Sequence, residues 1–235
     1  MCSFAINGLF NKRTYACRCS SRTRFNGYCF WRGRQMSGKK IAKEQPDQFE
    51  FSLDNKKIIE KLLLKYPEDR KKSAVMPLLY LAQRQNNNWI PLAALRLISD
   101  ILNMSYIKVY EVATFYTMYN LSPVGKYFVQ VCTTTPCMIK GSGKIVDMCK
   151  KHISSKQGEL NKELNSSWTE VECLGACVNA PMMQINDQYY EDLNESIAEK
   201  IFLSFKNNQL PKFGSQIGRV SSEPTNNRKT LNRNA

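Results

Sequence analysis

Residues 126–137 read KYFVQVCTTTPC, and residues 168–177 read WTEVECLGAC. Each stretch begins with a short run of apolar and β-branched residues, which is typical of a β-strand, and each carries two cysteines. The run GSGKIVDMCKKHI between them predicts a helix that begins at glycine. A strand–helix–strand crossover makes the two strands parallel, so their carboxyl ends lie at the same edge of the sheet. If the two strands are also neighbours in the sheet, their loops lie side by side and four cysteines meet at that edge: Cys132, Cys137, Cys173 and Cys177.

Four converging thiols are a metal-binding set. The spacings, C-x4-C and C-x3-C, fit an iron–sulfur cluster or a zinc ion, and spacing alone leaves both open. In a reducing compartment the leading candidate is an iron–sulfur cluster. The chain has one histidine, His152, which excludes a Rieske-type centre because that centre needs two. Neither pair has the C-x-x-C spacing of a thioredoxin-type redox pair, and no nucleotide-binding motif occurs.

The loops that carry these cysteines are expected to present hydrogen-bond donors and cations to the sulfur atoms. No Asp or Glu lies between the two cysteines of either pair. A negatively charged cluster needs such donors, because they stabilise its charge. The residues expected to contribute are Thr133, Thr134, Thr135, Lys140, Gly141, Gly143 and Gly175.

The other cysteines are not expected at the site. Cys149 lies in the predicted crossover helix, on nearly the same face as Ile145 and Ile153, and is interpreted as a small buried hydrophobe. His152 is expected near the C-terminus of that helix, where a cation is favoured. Four more cysteines fall in the first 43 residues: Cys2, Cys17, Cys19 and Cys29.

The whole chain is predicted to be α+β and to have four parts. Residues 1–43 contain ten Lys and Arg and no acidic residue, which indicates a mitochondrial transit peptide. Residues 50–122 show helical periodicity and predict a helical bundle. Residues 123–210 have the order β-α-β-β-α, which predicts a thioredoxin-like α/β sandwich. Residues 211–235 are polar and without periodicity, so they predict an extended C-terminal tail, free or draped over a partner.

The fourth helix of the predicted bundle is unusually aromatic. It is expected to run from Tyr106 to about Tyr119, with Ser105 as its N-cap. Because it is apolar on most faces, it is expected to be buried between layers or under a partner subunit.

The net charge of +14 at first suggests a nucleic-acid-binding protein, but the distribution of the charge argues against that class. The basic excess is confined to the two ends, and residues 44–205 hold 18 basic and 19 acidic residues. A folded part without a basic stripe is not expected to bind nucleic acid. No run of 18 apolar residues occurs, so no membrane span is expected either.

Two longer segments resemble the signature stretches of one protein family. They are YEVATFYTMYNLSPVGKYFVQVCTTTPCM at 110–138 and ECLGACVNAPMMQINDQYYEDL at 172–193. Both are similar to the thioredoxin-like 2Fe–2S subunits of NADH:ubiquinone oxidoreductase, respiratory complex I, and the similarity runs from about residue 50 through GSQIGRVSSEP. Departures such as Phe128, where histidine is common, and a tail poor in glycine and proline lie outside the cysteine positions.

The resemblance implies a cofactor, partners and a location. It implies electron transfer without a complete active site in this chain alone, and docking on the flavoprotein subunit that holds FMN and the NADH site. It also implies contact with the large iron–sulfur subunit, in the peripheral arm on the matrix side of the mitochondrial inner membrane. In that family the cluster is proposed to take an electron temporarily from the reduced flavin and so limit superoxide formation. One 2Fe–2S cluster is implied, with four ligands: Cys132, Cys137, Cys173 and Cys177.

Two alternatives stay open at the level of the sequence. The first is the homologous 2Fe–2S subunit of another flavin-linked NAD enzyme, of the hydrogenase or formate dehydrogenase type, which a hydrogenosome-like organelle would import with a similar leader. The second is a structural zinc module with four cysteine ligands. A zinc module would be colourless, whereas either redox subunit would contain iron and acid-labile sulfide.

Overall fold

The computed structural model describes residues 39–225, so nearly all of the predicted transit peptide lies outside the described residues. In the described part, the α-helices are α1 (Leu53–Leu63), α2 (Val75–Gln85), α3 (Leu92–Ile101), α4 (Tyr106–Phe115), α5 (Thr135–Ile139), α6 (Ser142–His152) and α7 (Glu195–Ser204). The strands are β1 (Tyr127–Cys132), β2 (Ser166–Val171), β3 (Met183–Ile185), β4 (Gln188–Glu191) and β5 (Gly214–Ser215). Short 3₁₀ turns cover Glu68–Ala74, Cys177–Asn179 and Phe205–Asn207.

The first four helices pack around one apolar core, as their periodicity predicts. The Ser52 hydroxyl caps α1 by accepting a 3.3 Å hydrogen bond from the Asn55 N–H. Pro77 lies in the first turn of α2, where its missing N–H costs no helical hydrogen bond. Pro91 directly precedes α3. The core of this region spans residues 51–121 and is separate from the core beneath the sheet.

The aromatic helix α4 is shorter than predicted. It ends at Phe115, and Tyr116 already has extended backbone. The Lys39 ammonium donates hydrogen bonds to the carbonyl oxygens of Ala113 and Tyr119, each 2.8 Å long, and also bonds the Tyr116 carbonyl. A cation at a helix C-terminus satisfies carbonyl groups that have no partner inside the helix, and so favours ending α4 here. Tyr119 is buried, whereas Phe115 is 78% exposed.

The five strands form one mixed sheet in the order β2-β1-β3-β4-β5. β1 pairs in parallel with β2, which confirms the crossover that the sequence predicts, and Cys132 lies opposite Val171. β2 is shifted two residues toward the N-terminus relative to the predicted strand. β3 is antiparallel to both β1 and β4, and the hairpin between β3 and β4 turns at Asn186 and Asp187. The parallel pair β1–β2 therefore brings both cysteine stretches to one edge.

Helices α6 and α7 pack together and complete the second core. Gly141 precedes α6 with a φ of 95°, a conformation that glycine adopts without strain. Cys149 is fully buried in this core, which confirms its interpretation as a small hydrophobe, and His152 is the last residue of α6. Backbone contacts place the described residues, 39–225, in one compact unit, so the division into a bundle and a sandwich at residue 122 stays a prediction.

The segment after Pro211, predicted to be a tail that is free or draped over a partner, makes contacts with the rest of the chain. Residues 214–215 form β5, which pairs in parallel with β4, and Arg219 forms an ion pair with Asp192. Residues 214–223 of this segment are therefore bound to the chain itself. These contacts could not be predicted from the polar composition of the segment. Ion pairs and backbone hydrogen bonds hold the segment in place, and it has no apolar stripe. Among residues 39–225, no helix has the length and apolar character needed to cross a membrane.

Candidate iron–sulfur site

Each of the four cysteines lies at or just beyond the end of a strand of the parallel pair. Cys132 is the last residue of β1, and Cys137 lies in the short helix α5. Cys173 follows β2 by two residues, and Cys177 begins a 3₁₀ turn. Helix α5 was not predicted from the sequence, although Pro136 in its first turn was a usable signal for a helix start.

The structure brings all four thiols together. The Sγ atoms of Cys173 and Cys177 are 3.3 Å apart, too far for a disulfide bond, whose length is about 2.0 Å. Cys132 lies close enough to Cys137 for each thiol to shift the pKa of the other, and it also lowers the pKa of Cys173, so the two pairs are neighbours. All the cysteines of the described residues are free thiols. The convergence follows the predicted topology, while the role of the four side chains as ligands stays a prediction.

The two halves of the site differ in exposure. Cys132 and Cys137 are each 1% exposed and pack with Met182 in a small apolar cluster. Cys173 and Cys177 are exposed. One side of the site is therefore closed by protein, and the other side faces outward.

The environment changes the acidity of the thiols in opposite directions. Burial raises the pKa of Cys132, but hydrogen bonds from the Thr134 side chain and backbone outweigh it, so the pKa is lowered. Burial also raises the pKa of Cys137, here to about 12, and the hydrogen bond with Cys132 adds to this. At the exposed pair, the Gly175 N–H lowers the pKa of Cys173, while the hydrogen bond with Cys173 raises the pKa of Cys177. One thiol in each pair thus ionises first and its neighbour holds the proton.

Two of the predicted donors contact sulfur directly. The Thr134 hydroxyl lies 3.1 Å from the Cys132 Sγ, and the Gly175 N–H donates a 3.4 Å hydrogen bond to the Cys173 Sγ. Gly175 has a φ of 86°, in the left-handed region that favours glycine. Thr133 is used differently, because its N–H donates to the Val171 carbonyl in the sheet. Four thiols with such donors are the set that an iron–sulfur cluster takes.

Residues far along the chain hold the second cysteine loop, and they were not predicted from the sequence. The Tyr189 hydroxyl donates a 2.9 Å hydrogen bond to the Leu174 carbonyl. Arg219 donates to the Val178 carbonyl at 3.2 Å. A partial signal existed for Tyr189, since strand alternation places it on the opposite face from the buried Tyr190. The sequence carries no comparable signal for Arg219.

No group of three or more His, Cys, Asp or Glu side chains in residues 39–225 is arranged to hold a single metal ion. A 2Fe–2S cluster divides its four protein ligands between two iron atoms, so it does not require such a group.

A mixed sheet with helices against it and four free thiols at one edge defines a small iron–sulfur protein. Residues 59–206 match the family model described as thioredoxin-like [2Fe-2S] ferredoxin. The chain belongs to this family, which confirms the predicted fold class and one 2Fe–2S cluster as its cofactor, in place of zinc.

Similar proteins have been named in bacteria and in mitochondria. The chain is 50% identical over 159 residues to the E subunit of NADH-quinone oxidoreductase from Rickettsia prowazekii (strain Madrid E), covering 68% of this chain and 90% of that protein. It is 47% identical over 183 residues to the mitochondrial NADH dehydrogenase [ubiquinone] flavoprotein 2 of Dictyostelium discoideum, covering 78% of this chain and 74% of that protein.

Among solved structures, the chain is similar to NAD⁺-reducing [NiFe]-hydrogenase in the air-oxidized state, with a TM-score of 0.49 and 14% identity. The match covers 57% of this chain but only 23% of the hydrogenase chain. A similarity of this size does not bear on the choice of parent enzyme.

Proposed function

We propose that this chain is the 2Fe–2S electron-transfer subunit of a mitochondrial NADH:ubiquinone oxidoreductase, complex I. The observation that carries the proposal is the convergence of four free thiols at the carboxyl edge of the β1–β2 pair. The choice of complex I is supported by 50% identity to the Rickettsia NADH-quinone oxidoreductase protein over 90% of that protein's length. The cluster, when bound, supplies a group that accepts and releases one electron at a time.

The cysteines are proposed to bind the cluster in two pairs. Cys132 and Cys137, which are buried in the same small cluster in the closed half, would hold one iron atom. Cys173 and Cys177, whose sulfur atoms are 3.3 Å apart in the exposed half, would hold the other. The Thr134 hydroxyl and the Gly175 N–H donate toward sulfur and favour the thiolate form that binds iron. This chain therefore supplies ligands and hydrogen bonds, and it excludes water from one side only.

The exposed half is proposed to face the partner that exchanges electrons. Apolar side chains lie on the loop after Cys177 and on the segment packed against it, and they are largely solvent-exposed in the isolated chain: Val178, Ile217 and Val220. Exposed apolar groups beside a redox site favour docking of another protein surface. We propose that this surface belongs to the FMN- and NADH-binding flavoprotein subunit, with the large iron–sulfur subunit nearby, on the matrix side of the inner membrane.

The cluster is tested on the full chain purified without oxygen. We expect iron and acid-labile sulfide in equal amounts, visible absorption that dithionite bleaches, and a rhombic EPR signal of the reduced protein. Replacing Cys132, Cys137, Cys173 or Cys177 singly by serine should abolish or strongly reduce these signals. The matched control is Cys149→Ser, which changes a buried cysteine away from the site and should keep the cluster. A colourless wild-type protein with one zinc would refute the proposal.

The parent complex is tested separately. A tagged chain expressed in its own cells should co-purify with FMN and with NADH dehydrogenase activity that reduces a quinone. Co-purification with hydrogenase or formate dehydrogenase activity instead would assign the cluster to another flavin-linked enzyme.

A further inference from the structure

The segment 214–223, here called the C-terminal clasp, packs against the exposed half of the iron–sulfur site. It begins with β5, and the Gln216 N–H donates a 3.1 Å hydrogen bond to the carbonyl of Glu191 at the end of β4. The Ser215 hydroxyl donates to Asp192 at 2.6 Å. The start of the clasp is therefore tied to the end of the β3–β4 hairpin.

Arg219 is the central residue of the clasp. Its guanidinium group forms two hydrogen bonds with the Asp192 carboxylate, one of them from Nε at 3.0 Å. The two side chains are only 9% and 8% exposed, so the pair is largely desolvated. A buried guanidinium must have its donors satisfied, which gives the group a defined position.

The same guanidinium group reaches the cysteine loop. Its Nη2 donates a 3.2 Å hydrogen bond to the carbonyl of Val178, the residue after Cys177, and its Nη1 donates at 2.9 Å to the Glu223 carbonyl. Asn179 is bound as well, because its side-chain amide donates at 2.9 Å to the Ser221 carbonyl. Both residues that follow Cys177 are therefore held by the clasp.

The exposed pair has less packing of its own than the closed pair. Cys132 and Cys137 are fixed by burial, whereas Cys177 is exposed on a 3₁₀ turn of three residues. Hydrogen bonds to the backbone that follows it therefore help to fix the position of its sulfur atom. Arg219 supplies one of these bonds from a side chain that lies 41 residues further along the chain.

We propose that Arg219 is a positioning residue for the 2Fe–2S cluster, holding the loop that presents Cys177 through the Val178 carbonyl. The inference rests on the proposed function, because it takes Cys177 to be a ligand. Arg219 acts through the loop and does not touch the cluster itself. Its loss should change the iron bound at the exposed half rather than merely the stability of the fold.

The test compares three variants of the full chain, each purified with its cluster. Arg219→Gln removes the positive charge and some of the N–H donors of the guanidinium group. Arg219→Lys keeps the charge but loses the planar arrangement of paired N–H donors. Arg84→Gln is the matched control, because Arg84 forms a 2.9 Å ion pair with Asp187 at the opposite end of β4. Iron release to a chelator, the EPR line shape of the reduced protein and thermal unfolding of the iron-free chain are measured for each.

We expect Arg219→Gln to release iron at least about ten times faster than the wild type and to broaden the EPR signal. Arg219→Lys should release iron at a rate between those of the wild type and Arg219→Gln. If Arg219→Gln does not fold, the comparison of Arg219→Lys with the wild type decides the test. Arg84→Gln should match the wild type in iron release and EPR. Wild-type behaviour of both Arg219 variants would overturn the inference, and so would equally fast release from Arg84→Gln. A wild-type chain without iron and sulfide would instead refute the proposed function.

Discussion

The hydroxyl of Tyr189 donates a 2.9 Å hydrogen bond to the carbonyl oxygen of Leu174. Leu174 follows Cys173, so a side chain of β4 holds the beginning of the second cysteine loop. The clasp holds the end of the same loop through the Val178 carbonyl. The exposed half of the site is therefore supported at both ends by residues that come later in the chain.

Replacing Tyr189 by phenylalanine removes the first of these supports. We expect a loss of about 1 kcal/mol in the free energy of unfolding, the usual contribution of one hydrogen bond, together with faster iron release. Tyr190→Phe is the control, because its hydroxyl donates to the Pro211 carbonyl at 3.2 Å, away from the cysteines. Urea unfolding and chelator assays check both effects. Equal iron release from the two variants would show that Tyr189 does not support the loop.

Gly125, just before β1, should not tolerate a side chain. Its φ is 85°, and a β-carbon placed there would lie 2.5 Å from the Asn165 carbonyl oxygen. We expect Gly125→Ala to destabilise the chain by roughly 3 kcal/mol or more, through left-handed strain and a backbone clash. Gly158→Ala is the control, with a φ of 73° and open space around it, and it should cost about 1–2 kcal/mol. If urea unfolding shows the same loss of stability for Gly125→Ala and Gly158→Ala, the predicted clash is contradicted.

Cys149 and Cys173 should differ sharply in reactivity once iron has been removed. Burial raises the pKa of Cys149, so its thiol stays neutral and inaccessible at neutral pH. The hydrogen bond from the Gly175 N–H lowers the pKa of Cys173, which is also exposed. We expect iodoacetamide at pH 7.5, under reducing conditions, to label Cys173 at least ~100-fold faster. Peptide mass spectrometry measures the rates, and in urea the two should become similar; equal rates in the folded chain would be the opposite result.

Tyr119 should make stability fall at alkaline pH. Burial raises its pKa from 10.0 to about 12, and its hydroxyl donates to the Met76 carbonyl at 3.0 Å. Between about pH 10 and 12 the unfolded chain loses this proton while the folded chain keeps it, so stability falls as pH rises. Below pH 10 the free energy of unfolding of the wild type should exceed that of Tyr119→Phe by about 1 kcal/mol. This difference should disappear as the pH rises above 10.

Urea unfolding at pH 9, 10 and 11 measures that gap. Phe115→Leu is the control, because it changes an exposed aromatic residue that cannot ionise. Its stability difference from the wild type should not vary over this range. A gap for Tyr119→Phe that also stays constant with pH would rule out the proposed titration.

Local patterns in the sequence were sufficient for the framework of the site. The run that ends at Cys132 and the run before Cys173 each have strand character, and the helix between them requires a parallel crossover. Such a crossover runs both strands in the same direction and brings their carboxyl ends to one edge, so the meeting of the four cysteines could be predicted. The start of α4 directly after Ser105 was also predictable, because helix-capping preferences act within one turn.

Other features depended on contacts that leave no periodic trace in the sequence. Nothing local to Arg219 indicates that it reaches Val178, and nothing local to Lys39 indicates that it bonds the end of α4. Tertiary packing likewise decided that Cys137 is buried and that Cys177 is exposed. Such contacts join residues tens of positions apart, and their geometry exists only once the chain has folded. The amino-acid order therefore determined which four cysteines meet and which strands carry them, while the tertiary structure decided how each cysteine is held.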